Sequence, residues 1–244
     1  MTSSSEVGHA KNVANFQNLI AFLEGYGATY NPTKISLKIP QLHTLLAESQ
    51  NSLQNVVEKH TTYNNVINAR VAAFDGIRVL ATRLISALET TDASKETIND
   101  AKGFNRKMRG QRASKKKTSD DPNQPAPKTI SASQQSYDQL IQHFEGLIAV
   151  LQSEPSYAPN EEDLKITTLH AKVTHLKTNN NNVSVAYASV SNARIDRDKT
   201  LNNQDTGLVD IASEIKKYIK SVFGPTSEQF AQVKGIQFKK ITNK

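Results

Sequence analysis

From Leu42 to Phe74 the chain sets Leu42, Leu46, Ser49, Leu53, Val56, His60, Tyr63, Ile67, Arg70 and Phe74 at alternating spacings of four and three. That spacing keeps one side of an α-helix turned toward a neighbour along its whole length. The stretch Lys38 to Phe74 therefore reads as one long helix. Pro40 suits its first turn, where a missing N–H costs nothing. No Gly or further Pro follows until Gly76. Fully helical, the stretch would span roughly 55 Å at about 1.5 Å per residue. Ser49, His60 and Arg70 interrupt the seam. A helix face is wider than a strict line, so they are expected at the edge of the buried strip, with the Arg70 head in water.

A second copy of this pattern follows. Tyr30 and Pro32 match Tyr157 and Pro159, Leu42 and His43 match Leu169 and His170, and Val56 matches Val183. Upstream, Phe16, Leu19, Ile20 and Leu23 match Phe144, Leu147, Ile148 and Leu151. Downstream, Gly76, Leu80, Leu84 and Leu88 match Gly207, Ile211, Ile215 and Ile219. Asn68, Ala69 and Arg70 match Asn192, Ala193 and Arg194 once a three-residue gap is allowed. Two long copies make a tandem pair and not a solenoid. The expected fold class is all-α: a tandem duplication of a helical unit with long coiled-coil-like helices, packed as one or two bundles. The expected organisation is a mobile N-terminus over 1–10, helical repeat 1 over 11–110, a basic, Pro-containing linker over 111–135, and helical repeat 2 over 136–244. No strand-like alternation of any length occurs.

Composition removes several classes of chemistry. The chain has no Cys, which excludes disulfides, thiolate zinc sites, cysteine-held iron–sulfur clusters and cysteine nucleophiles. Apolar residues make up 37% and aromatic residues 6%, with no Trp, a lean content that suits elongated helices better than a deep pocket. Met1 to Ile20 lacks the apolar core of a secretory signal. The longest apolar run, Leu147 to Leu151, is far too short to cross a bilayer. A soluble, cytoplasmic protein without membrane insertion is the expectation.

Catalytic patterns are missing from the sequence. Gly25 and Gly27 follow a helix, and Tyr30 stands where a dinucleotide fingerprint needs its third Gly. No phosphate-binding P-loop and no serine nucleophile elbow occurs. A di-metal bundle needs two Glu-x-x-His pairs, and Glu6 with His9 is the sole one. His43 and His170 read as structural residues beside core leucines. No enzyme, cofactor or metal is expected.

Charge supplies the one candidate site. Lys102, Arg106, Lys107, Arg109, Arg112, Lys115, Lys116 and Lys117 are eight of the 30 basic residues, with no acid between them. Without them the chain has 22 basic and 23 acidic residues, so the +7 net charge belongs to this segment. Such a run neutralises phosphates and would give nonspecific, salt-sensitive nucleic-acid binding. Phe104 is its one aromatic residue, so base stacking is poorly supplied. The second copy also ends in lysines, at Lys234, Lys239, Lys240 and Lys244.

The stretches Gly8 to Phe16, Tyr26 to Pro32, Tyr157 to Asn160, Ser191 to Arg194 and Thr206 to Ala212 resemble a family of uncharacterised bacterial proteins of duplicated helical plan. The resemblance runs over nearly the whole chain. It implies a soluble bacterial protein and carries no activity. The expected function is a non-enzymatic helical scaffold or interaction protein, acting on a protein partner or on itself through helical faces. The alternative is a nucleic-acid-associated protein binding phosphates through 102–117.

Overall fold

The computed structural model describes residues 4–110 and 135–241. Among them are eight α-helices and no strand. They are α1 (Ser4–Gly25), α2 (Ile39–Phe74), α3 (Ile77–Glu89), α4 (Lys95–Met108), α5 (Tyr137–Ser153), α6 (Ile166–Asn202), α7 (Leu208–Phe223) and α8 (Glu228–Lys234). The all-α expectation holds. Helix α1 begins at Ser4, ahead of the Lys11 start expected from its apolar face, because hydrogen-bonded backbone needs no apolar period to continue into a polar first turn.

Helix ends follow local chemistry. Ser94, Ser136 and Ser227 each accept a hydrogen bond from the backbone N–H three residues on, at 3.1, 3.3 and 3.1 Å, which satisfies one of the free donors of a helix start. Gly76 breaks the run between α2 and α3 by taking the left-handed region, φ 72°. Helix α6 runs unbroken through Asn179–Asn182 despite their poor helix propensity. Side-chain bonds hold that stretch: the Asn179 amide donates to the His175 carbonyl at 2.9 Å, and the Asn180 amide donates to Asp138 at 2.7 Å.

The described chain divides into two compact units. The first contains residues 4–64 and 186–241, the second 65–110 and 135–185. Each takes helices from both 11–110 and 136–244. In the first unit α1 packs on α7 and α8. Its core gathers Phe16, Leu19 and Leu23 of α1, Leu42 of α2, and Leu208, Ile215 and Ile219 of α7. In the second unit α5 packs on α3 and α4. Its core gathers Leu84 and Leu88 of α3, Met108 of α4, Phe144, Leu147 and Leu151 of α5, and Leu169 and Leu176 of α6.

The polar residues of the α2 seam have three different fates. His60 is exposed, beyond the edge of the buried strip where it was expected. Ser49 is fully buried, its hydroxyl donating to the Leu45 carbonyl at 2.7 Å, so a local bond lets it enter the core. Arg70 is half-buried, and its head turns to neighbouring side chains instead of extending freely into water. Its guanidinium lies 4.1 Å from the Tyr137 ring centroid and donates to Asn180 at 3.1 Å, two partners that replace hydration.

Close packing of α4 on α5 depends on one glycine. A Cβ built at Gly146 would lie 2.3 Å from the Phe104 ring. Gly146→Ala is expected to destabilise the chain by about 1–2 kcal/mol, because overpacking exceeds the alanine's gain in helix propensity. Urea unfolding followed by circular dichroism measures it. A stabilised variant would show that the ring moves away without loss.

Candidate functional site

The basic stretch begins in α4, whose amphipathic spacing sorts its residues. Ala101 and Met108 face the core, and Lys102, Arg106 and Arg109 follow one another at spacings of four and three on the exposed side. Lys102 is paired with Glu89 at 2.6 Å. Lys107 lies 5.4 Å from the Phe104 ring centroid. Arg106 and Lys107 occupy the last helical turn, where positive charge also complements the helix dipole. Arg112, Lys115, Lys116 and Lys117 lie outside the described residues. The end of α4 is pinned: Arg78 donates to the Met108 carbonyl at 2.8 Å and to Gln135 at 3.0 Å, and Gln135 donates to the Lys107 carbonyl at 2.7 Å. Lys234, Lys239 and Lys240 belong to the other unit, where Lys240 pairs with Asp210 at 2.8 Å.

His143 on α5 is 7% exposed, and its Nε2 has no hydrogen-bond partner among the described residues. Burial, and then the Lys107 charge, hold its pKa below the usual 6.5. The folded state therefore binds fewer protons than the unfolded chain as pH falls below 6.5, and stability decreases on acidification. The melting temperature is expected to fall between pH 7.5 and 5.5, and His143→Leu to flatten that fall. Carboxylates held low by partners, such as Asp163 by Arg83 and Asp210 by Lys240, lose stability only below the ordinary carboxylate range. An unchanged slope in the variant would remove His143 as the cause.

A second polar cluster escaped the sequence reading. Arg197 is 1% exposed and His9 is fully buried. Arg197 Nε and Nη2 donate to one Asp198 oxygen at 3.0 and 2.8 Å, and His9 Nε2 lies 3.6 Å from the same oxygen. The signal was present. In α6, Val183, Tyr187 and Val190 keep the four-and-three spacing of the first seam, and carrying it onward reaches Arg197 and Leu201, while carrying Phe16 and Val13 backward reaches His9.

His43 and His170 are both exposed. His43 meets Glu24 at 2.8 Å, and His170 meets Gln152 at 3.2 Å. Two open grooves mark the described surface. One of about 670 Å³ lies between Lys11, Asn15, Asn18 and Phe22 of α1 and Gln232 to Gln237, and one of about 350 Å³ lies between α5 and α6 beside Glu145 and Lys177. Among the described residues no group of three or more His, Asp or Glu is placed to hold a metal, and no helix is long and apolar enough to cross a membrane. No protein-family model matches the chain, and no curated protein or solved structure matches it.

Proposed function

We propose that this chain is a non-catalytic helical scaffold that works in the cytoplasm by associating through the faces of its long helices. The observation that carries the reading is apolar exposure along α2 and α6. Val57 and Val71 are 59% and 55% exposed, and Val185, Tyr187 and Ile195 are 58%, 60% and 50% exposed. Val57 and Val71 fall on nearly the same face of α2, and Tyr187 and Ile195 on one side of α6, as a partner helix would need. The non-catalytic reading draws on the use made of perturbed groups. Tyr30 and Tyr157, both raised by burial, the latter to about 12, donate to the Leu37 and Leu164 carbonyls at 2.7 and 3.0 Å. They latch turns and do not converge on a cleft. The cysteine-free composition suits the cytoplasm.

The scaffold is read as a tandem duplication with coiled-coil-like helices. Support comes from α2 and α6, of 36 and 37 residues, each preceded by the same tyrosine latch. The seam residues Tyr63 and Tyr187 meet with ring centroids 5.9 Å apart. Helices of matching length need no internal gap. In continuous register Arg197, and not Arg194, takes the place of Arg70, and the extra residues fall in the α6–α7 turn.

Sedimentation of the full chain over a range of concentrations tests the reading. Reversible self-association is expected, and Val57→Lys with Tyr187→Lys should abolish it. One species at every concentration, unchanged by the substitutions, would exclude self-association as the way the scaffold works.

A second reading, nonspecific nucleic-acid binding, is favoured by the exposed stripe of Lys102, Arg106 and Arg109. It requires affinity that drops steeply between two salt concentrations. It also requires loss of binding when the basic residues of 102–117 become Gln. Binding indifferent to either change would end it.

A further inference from the structure

Neither stretch on its own side of residues 111–134 contains a complete compact unit. Residues 4–110 supply α1 and most of α2 to one unit and α3 and α4 to the other, and residues 135–241 do the same in reverse. The seams between these halves are bonded throughout. In the first unit Asn12 exchanges two hydrogen bonds with the Lys239 backbone, at 2.7 and 3.1 Å, and Asn15 donates to the Gln237 carbonyl at 2.7 Å. Tyr26 donates to the Gln229 carbonyl at 3.1 Å, and Lys34 pairs with Glu214 at 2.6 Å. In the second unit Arg70 covers Tyr137, Arg83 pairs with Asp163, and Lys172 donates to the Ala73 carbonyl at 2.9 Å. Both apolar cores are likewise shared between the halves.

We infer that residues 4–110 and 135–241 are a cognate binding pair, each half presenting a built surface whose partner is the other half, from the same chain or from a second copy. The covalent link through 111–134 sets their effective concentration and is dispensable for recognition.

The pairing is selective for unlike halves. This part rests on the duplication proposed above, which places Asn18 of α1 at the position of Gly146 of α5, between the matched pairs Phe16 and Phe144, and Leu19 and Leu147. Helix α4 seats Phe104 over Gly146 so closely that even a Cβ would meet the ring at 2.3 Å. Two first halves pairing together would drive Phe104 into the Asn18 side chain. Two second halves would ask the 237–241 segment to bond to Leu140 and His143, which stand where α1 carries Asn12 and Asn15. Those side chains offer no amide to exchange bonds with a backbone.

The test nicks the full chain at a specific protease site inserted between Asp121 and Pro122. Co-expression of 1–121 and 122–244, one of them tagged, serves as the parallel form. At micromolar concentration the nicked halves are expected to elute together at the volume of the uncut protein, with unchanged helicity, and to part only in denaturant. Halves that elute separately, each with its own cooperative melt, would overturn the pairing. Native mass spectrometry on mixed, isotope-labelled nicked copies is expected to show first and second halves in equal number in every complex. Complexes of two first halves without second halves would overturn the selectivity and the register behind it, while co-elution still speaks for the pairing. In the nicked chain Gly146→Asn, which installs the Asn18 side chain at the seat of Phe104, is expected to raise the dissociated fraction roughly tenfold. No change would remove Phe104 as the discriminating contact.

Discussion

Phe144→Ala is expected to destabilise the protein by about 3–5 kcal/mol. Phe144 is fully buried at the middle of α5, with Leu140, Leu147 and Leu151 buried on the same face. The ring belongs to a core that also takes buried residues from α2, α3, α4 and α6. Neighbouring side chains fill only part of such a cavity, and the rest remains as lost dispersion. Alanine's better helix propensity returns about 0.5 kcal/mol, far too little to offset it. A loss of this size is a large fraction of the 5–15 kcal/mol typical of a whole domain. Because Phe16 and its neighbours form a separate cluster in the other unit, urea unfolding of the variant is expected to become biphasic, the unit of 65–110 and 135–185 melting first. A shift below about 1 kcal/mol would mean that the cluster around Phe144 is loosely packed.

Arg197→Ala is expected to cost about 3 kcal/mol, with two contributions. Arg197 is the largest fully buried side chain among those described. Its removal leaves a cavity the length of its aliphatic stem. It also strips Asp198 of the two hydrogen bonds that share its charge. Asp198 is 28% exposed, so water screens part of the freed charge, and the effect falls at the lower end of the range for broken buried pairs. Adding Asp198→Asn to Arg197→Ala is expected to recover part of the loss, and a double-mutant cycle measures the share. Strict additivity of the two substitutions would show that the pair contributes nothing and that the stem alone accounts for the cost.

Much of this architecture was legible, for reasons that differ between elements. The 3.6-residue period of α2, α5 and α7, the serine caps and the stop at Gly76 are local facts, written within a few residues of where they act. What covers each apolar face is not local. Leu19 and Leu147 announce burial equally well whether their cover comes from their own repeat or from the other. The residues that decide it, such as Asn12 with its Lys239 partner 227 positions away, carry no period that marks them as a pair. Arg70 turns to an aromatic ring instead of extending freely into water for the same reason: Tyr137 lies on a different helix, and only the fold brings it near. The basic stretch was legible as charge. Its placement on one face of α4 was legible for Lys102, Arg106 and Arg109, while Arg112 to Lys117 fall outside the described residues.

The alternation of segments between the two units has a consequence for the order in which a growing polypeptide can mature. Residues 65–185 are contiguous, so their unit can close as soon as the first part of α6 has left the ribosome. Helix α1 emerges before any of this, yet its partners α7 and α8 are made last. The faces of Phe16, Leu19 and Leu23 must wait, uncovered, through most of synthesis. Closing a loop of that length adds little entropy beyond a shorter one, but it delays protection, and nascent apolar surface is where chaperones act and aggregation begins. The unit of 65–185 is thus the early-maturing one, and the unit that joins 4–64 to 186–241 sets the time at which the newborn chain stops being vulnerable.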